Sequence, residues 1–180
     1  SPAGHMPMYD AASRNWIVYN GEVYNFRQLR RELEQAGDEF VSATDTEVVL
    51  KGYRRWGTGV AGRLRGMFAF AVWDAARQEL FLARDRLGEK PLYYREGGGE
   101  FLFASEVRAL LASGRVERKL NPAAVDVFLA NGFTVGPGTL VSAVRSLLPA
   151  SWMRVSREGT VLEECAYWRP GARDGGGTAA

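Results

Sequence analysis

The chain has 180 residues, 46% of them hydrophobic, 12% aromatic and 24% charged. That composition fits a packed core and excludes two complete large domains, and it is not that of a disordered polar tail. A net charge of +2, from 23 Lys and Arg against 21 Asp and Glu, gives no electrostatic reason to expect a nucleic-acid or acidic membrane partner. No apolar run approaches the roughly 20 residues of a membrane-spanning helix. The opening SPAGHMPMYD lacks the apolar stretch of a secretory signal, so a cytoplasmic protein is expected. With one cysteine, Cys165, and one histidine, His5, neither an internal disulfide nor a Cys/His zinc site is available, and no metal is expected in these residues.

In chain order, Trp16-Ile17-Val18-Tyr19 predicts a buried strand, and Asn20-Gly21 after it predicts a tight turn, because both residues tolerate positive φ. A helix follows, capped by Asn25 with Gln28 in a capping box, its face formed by Phe26, Leu29 and Leu33 and its stop by Gly37. Phe40-Val41 is a short strand candidate. After Thr44-Asp45-Thr46 a second helix places Val49, Leu50, Tyr53 and Trp56 at helical spacing and closes at Gly57. Met67 to Trp73 and Leu80 to Ala83 predict a hairpin around residues 74–78, and strands near Leu92 to Tyr94 and Phe101 to Ala104 are joined by Gly97-Gly98-Gly99. Ser105 is placed to cap a short helix ending near Leu111. Asn121-Pro122 opens another, with Val125, Phe128 and Leu129 as its apolar face. Trp152 to Val155 and Thr160 to Leu162 predict a last strand pair, and residues 171–180 a flexible tail. A boundary is expected near Lys119-Leu120. The fold class is α+β, a layered arrangement whose hairpins point to antiparallel sheets.

Strand, Asn20-Gly21-Glu22, helix is a device with chemical uses. The Asn20 side-chain amide and the Gly21 backbone N–H are two neutral donors for a developing oxyanion, and glycine lets a substrate approach. Glu22 supplies a carboxylate for an ammonium group, and Asp45 a second. Spacing alone more readily fits a plain turn with a surface glutamate, and a helix-capping aspartate.

The segments VYNGEVYNFRQLRRELE, TDTEVVLKGYRRWG, LRGMFAFAVWDAARQELFLARDRLGEKPLYY and FASEVRALL, in that order, resemble the glutamine amidotransferase domain of the glutamine-hydrolysing asparagine synthetase family. The likeness covers about residues 1–119 as a partial type 2 amidotransferase domain, and 120–170 resemble the opening of the family's synthetase domain. It implies an N-terminal-nucleophile hydrolase-like fold, with antiparallel sheets sandwiched between helix layers. It also implies a mechanism in which an amino-terminal cysteine attacks the side-chain amide of glutamine and releases ammonia, which a synthetase domain transfers to ATP-activated aspartate. On this resemblance Asn20 and Gly21 are the catalytic oxyanion donors, and Glu22 and Asp45 bind the substrate's α-amino end. Glutamine and the chain's own C-terminal synthetase domain are the implied partners, and a homodimer is compatible with the sequence. No cofactor is expected in these residues, ATP and Mg being implied for the synthetase region.

The family's amino-terminal cysteine and first strands have no counterpart here, nor does its Ser-Gly-Gly-x-Asp-Ser type loop for pyrophosphate. Ser1 precedes a proline, Cys165 sits beside Glu163 and Glu164, which disfavour a thiolate, and His5 reads as a loop residue, so none replaces the nucleophile. The expectation is an inactive fragment of a longer enzyme, with sheet edges left open. The alternatives are a β-lactam synthetase-like relative without amidotransferase activity, and a non-catalytic binding or scaffold module.

Overall fold

A computed structural model describes residues 5–171. The main sheet has six antiparallel strands in the order β1 (Met8–Asp10), β2 (Asn15–Val23), β3 (Gly66–Asp74), β4 (Glu79–Arg84), β8 (Ser151–Ser156) and β9 (Val161–Ala166). A smaller sheet orders β6 (Glu100–Ala104), β5 (Tyr93–Gly97) and β7 (Arg145–Ser146). Helices α1 (Phe26–Gln35), α2 (Asp45–Trp56) and α3 (Val60–Arg63) cover one face of the main sheet, and α4 (Val107–Ala112) covers the far face of the small one. The layers therefore run helix, sheet, sheet, helix, the α+β sandwich expected of an N-terminal-nucleophile hydrolase.

Alternation along β3 builds this stack. Phe68, Phe70 and Val72 point to the helices and pack with Leu29, Leu33, Val49 and Tyr53, while Ala69 and Ala71 point to the small sheet with Leu82, Tyr94 and Met153. Each fully buried phenylalanine contributes about 1.5–3 kcal/mol, and the alanines let the two sheets approach.

The structure revises several expectations. Asn20-Gly21 makes no turn: β2 runs through it and pairs with β3 from Trp16↔Trp73 to Val23↔Gly66. Eight consecutive cross-strand pairs outweigh a local turn preference. Phe40-Val41 forms no strand, because among the described residues no neighbour pairs with it, and Glu47 instead accepts from the Val41 and Ser42 amides at 2.9 and 2.6 Å. Asn25 stands at the N-cap of α1 without capping it. Its amide donates to Arg63 O at 3.0 Å and its oxygen accepts from Arg65 N at 2.9 Å, tying the helix start to the entry of β3. Ser105 does not cap α4, whose N-cap is Glu106.

Helix α5 (Pro122–Asn131) has its Asn121 cap and proline as expected, yet its apolar face is largely uncovered. Leu129 is 77% exposed and only Ala124 is buried. Strands β8 and β9 lie beyond the boundary expected near Leu120. Both complete the main sheet, with β4 pairing β8 from Glu79↔Ser156 to Ala83↔Trp152, so no boundary divides the sheet there. The tail expected over 171–180 lies, from residue 172 onward, outside the described residues.

Two buried carboxylates give the fold an acid dependence. Burial opposes ionisation of Asp10, but hydrogen bonds from Ser13 and the charges of Lys51 and Arg54 outweigh it, and its pKa lies below the usual carboxylate value. Asp74 is lowered likewise, burial being outweighed by bonds from Arg77 and Tyr53. A depressed folded-state value means that the unfolded chain binds the proton more readily. The stabilisation is therefore complete above the unfolded value, near 3.8, and is lost as pH falls through the folded one. The melting temperatures of the parent and of Asp74→Asn are expected to differ at neutral pH and to converge below about pH 4. A gap that stays constant into acid would refute the assignment.

Candidate functional site

The small sheet covers only part of the main one. Its core contacts fall on β3, β4 and β8, which leaves the corresponding face of β2 open: Trp16 is 44% exposed, and Asn20 and Glu22 on the same face are also exposed. Ser105, directly after β6, receives the Asn20 amide at 3.4 Å, so the β6 edge lies on the side nearest β2. Between them is a cleft of about 200 Å³ walled by Val18, Asn20, Ala69, Ala71, Phe103 and Ser105. Gly21, Glu22 and Asp45 do not line that cleft.

The phase of the ladder decides where the Gly21 amide points. In an antiparallel pair, a residue directs its N–H and C=O to the same neighbour, and successive residues alternate sides. Phe68, the partner of Gly21, uses both groups toward Asp85: its N–H donates to Asp85 Oδ2 at 3.2 Å and its carbonyl accepts from Asp85 N at 2.8 Å. One register step past the strand end, Tyr24 N donates to Arg65 O at 2.8 Å, so the even residues of β2 face β3. Gly21 is therefore a pair without ladder bonds, and its N–H leaves β2 on the side away from β3. Strand β1 covers that side only at residues 15–17, so from Tyr19 to Val23 no strand among the described residues pairs with this edge.

Glycine is required at this position. With φ at +153°, a Cβ on Gly21 would collide with Met67 O and stand 2.7 Å from Phe68 Cα.

Asp45 docks on the same edge. Its Oδ2 accepts from Val23 N at 2.9 Å and from the Tyr19 hydroxyl at 2.6 Å, the residues that bracket Asn20-Gly21-Glu22. It is free to do so because Thr44, not Asp45, caps α2 through a bond from Glu47 N at 3.3 Å. Burial, followed by the bond to Asp45, raises the Tyr19 phenol well above its ordinary pKa and keeps it a donor. Glu22 makes no ion pair among the described residues. Three of the predicted site residues thus occupy consecutive positions on β2, and the fourth is hydrogen-bonded across 22 positions to the end of that strand. Tyr19 was not among the sequence candidates. Its signal was an aromatic hydroxyl immediately before the tripeptide, on the inward side of an alternating strand.

Beneath the tripeptide the frame is stiff. Asp85, 1% exposed, accepts from the backbone amides of Phe68, Leu87, Glu89 and Lys90 at 2.9 to 3.2 Å, and the Arg84 guanidinium donates to the carbonyls of Gly88, Lys90 and Leu147. The charges of Arg84 and Asp85 are satisfied by backbone groups, as a structural hairpin end requires.

Other reactive groups lie elsewhere. Cys165 is exposed on β9, four strand spacings from β2, about 19 Å at the usual interval. His5 is exposed beside Met6 O. A larger hollow of about 600 Å³ lies between β1, α2 and the loop joining α1 to α2. Its buried charges pair with one another, Lys51 meeting Asp10 at 3.3 Å and Glu47 at 3.5 Å, while Arg54 meets Asp10 at 3.3 Å. Among the described residues no group of three or more His, Cys, Asp or Glu side chains is placed to hold a metal ion, and no helix is long and apolar enough to cross a membrane.

Comparison with known proteins agrees with this architecture. Asparagine synthetase [glutamine-hydrolyzing] 3 of Bacillus subtilis is 40% identical over 153 residues, which are 84% of this chain and 25% of that protein. A putative asparagine synthetase [glutamine-hydrolyzing] 2 of Methanocaldococcus jannaschii is 42% identical over 154 residues, 84% of this chain and 29% of its own length. The chain thus spans about a quarter of the length of the curated relatives it matches. Among solved structures, the glutamine phosphoribosylpyrophosphate amidotransferase of B. subtilis superposes with a TM-score of 0.65 at 21% identity, over 91% of this chain and 32% of that one, a likeness of fold. Residues 1–168 match the family described as the glutamine amidotransferase domain. With more than nine-tenths of its length matched, and with its sandwich fold, the chain belongs to the glutamine amidotransferase domain family.

Proposed function

We propose that these residues form the glutamine-binding and oxyanion-stabilising part of a glutamine-dependent asparagine synthetase, in which ammonia from glutamine amidates an activated aspartate. In this reading, the thiolate of an amino-terminal cysteine outside the 180 residues attacks the side-chain carbonyl carbon of glutamine. The carbonyl π electrons move to oxygen, and the oxyanion takes hydrogen bonds from Asn20 Nδ2 and Gly21 N–H. The proton that the thiol gave up to the cysteine's own α-amino group passes to the amide nitrogen, and collapse of the tetrahedral species expels ammonia. The remaining thioester is hydrolysed by water to glutamate, which restores the thiol. Glu22 and Asp45 hold the α-ammonium group. Asp45 and the Gly21 amide leave the same edge of β2, about 7 Å apart along the strand by the usual rise, a separation that suits a glutamine side chain.

The observation that carries the reading is the ladder phase at Gly21, which directs its N–H away from β3, off the edge of the strand on which Asp45 is docked. In this proposal ATP and Mg²⁺ belong to a synthetase region beyond these residues, and no step above uses them. That region is the proposed intramolecular partner, and the cytoplasm, where glutamine and ATP are abundant, the proposed location.

The test is the fate of the amide nitrogen. The full-length enzyme, given aspartate, ATP and glutamine labelled at its side-chain nitrogen, is expected to yield asparagine carrying the label. Asp45→Asn should raise the KM for glutamine about a hundredfold while leaving synthesis from added ammonia intact. Label that never reaches asparagine would defeat the proposal.

A further inference from the structure

Tyr19 is the point at which the catalytic strand and the α2 terminus meet. Its ring packs against the core beneath the main sheet, and its hydroxyl donates to Asp45 Oδ2 at 2.6 Å, the length of a charge-assisted bond. Val23 N–H shares that oxygen at 2.9 Å, and among the described residues no hydrogen bond reaches Oδ1. A carboxylate in the first turn of a helix has a competing use, since the unpaired amides of that turn attract it. Thr44 already serves one of those amides. What fixes Asp45 away from the helix end is therefore the pair of bonds from Tyr19 and Val23, and of these only the Tyr19 bond comes from a side chain.

We propose that Tyr19 is a positioning residue for substrate selection: its hydroxyl fixes Asp45 so that Oδ1 is presented to the α-ammonium group of glutamine, which favours α-amino amides over simple amides. This rests on the reading of Asp45 given above. The raised phenol keeps the donor protonated throughout the neutral range. A bond made only to satisfy a half-buried hydroxyl would affect every substrate alike, whereas a positioning bond affects only substrates with an α-amino group.

The experiment compares hydrolysis of glutamine with that of glutaramate, which is glutamine without the α-amino group, by the full-length enzyme. For Tyr19→Phe, kcat/KM for glutamine is expected to fall about tenfold through KM, the effect of one hydrogen bond to a charged group, while kcat and the glutaramate reaction stay within about twofold. Tyr19→Met, a smaller, flexible apolar side chain also without a donor, should give the same ratio and serves if the phenylalanine variant fails to fold. Equal losses for both substrates, or no loss for either, would overturn the proposal. Asp45→Asn separates the two levels. A lowered glutamine-to-glutaramate ratio in that variant alone defeats only the role of Tyr19, and an unchanged ratio in it defeats the reading of Asp45 itself.

Discussion

Asn20→Ala is expected to lower kcat for glutamine hydrolysis by the full-length enzyme about a hundred- to a thousandfold, with KM nearly unchanged. Removing one oxyanion donor has that magnitude because the charge it meets develops only in the transition state. The fold should not notice. Asn20 is exposed, and its one side-chain hydrogen bond among the described residues is that to Ser105 at 3.4 Å, so the stability change should stay within about 0.5 kcal/mol. Asn20→Asp should be as damaging, since a carboxylate accepts where a donor is needed. Steady-state ammonia release checks both, with synthesis from added ammonia as the internal control. A rise in KM at constant kcat would show that Asn20 binds the ground state and would contradict the oxyanion role.

Gly21→Ala should cost the fold far more. The new Cβ meets backbone atoms of the paired strand, Met67 O and Phe68 Cα, and backbone cannot swing aside as a flexible side-chain end does. Phe68 is itself pinned on its other side by Asp85. The strain is expected to cost about 3–5 kcal/mol and to lower the melting temperature by about 10 °C for a domain of this size. Any folded remainder should lose glutamine hydrolysis, because parting β2 from β3 displaces the Gly21 N–H. Gly62→Ala is the matched control. Nothing lies within 4 Å of its added Cβ and it sits in α3, so it should be neutral or slightly stabilising. Equal melting temperatures for the two variants would show that β2 and β3 are not held at this distance.

What the sequence disclosed and what it concealed divide along a physical line. Helices α1 and α2 and the hairpins β3–β4, β5–β6 and β8–β9 were legible because their signals are local: apolar spacing, glycine stops and short polar turns. The passage of β2 through Asn20-Gly21 was not, because an Asn-Gly pair favours a turn in isolation and only pairing with β3, 49 positions away at Asn20↔Ala69, overrides it. Closure of the sheet by β8 was hidden for the same reason, since Ala83↔Trp152 joins residues 69 positions apart. Phe40-Val41 shows the converse, strand-like residues without a partner. At the proposed site, residue types and the family resemblance suggested Asn20, Gly21, Glu22 and Asp45, but the direction of the Gly21 amide depends on ladder phase, and the hold of Tyr19 on Asp45 depends on how α2 docks. Neither can be read one residue at a time.

The measurement that bears most directly on these claims is glutamine hydrolysis by the full-length enzyme with an intact amino-terminal cysteine, read as glutamate and ammonia together. Equal amounts of the two products are predicted, at a rate that Asn20→Ala cuts at least about a hundredfold. No ammonia from the intact enzyme, or full activity in the Asn20→Ala variant, would contradict the placing of the glutamine amide against positions 20 and 21.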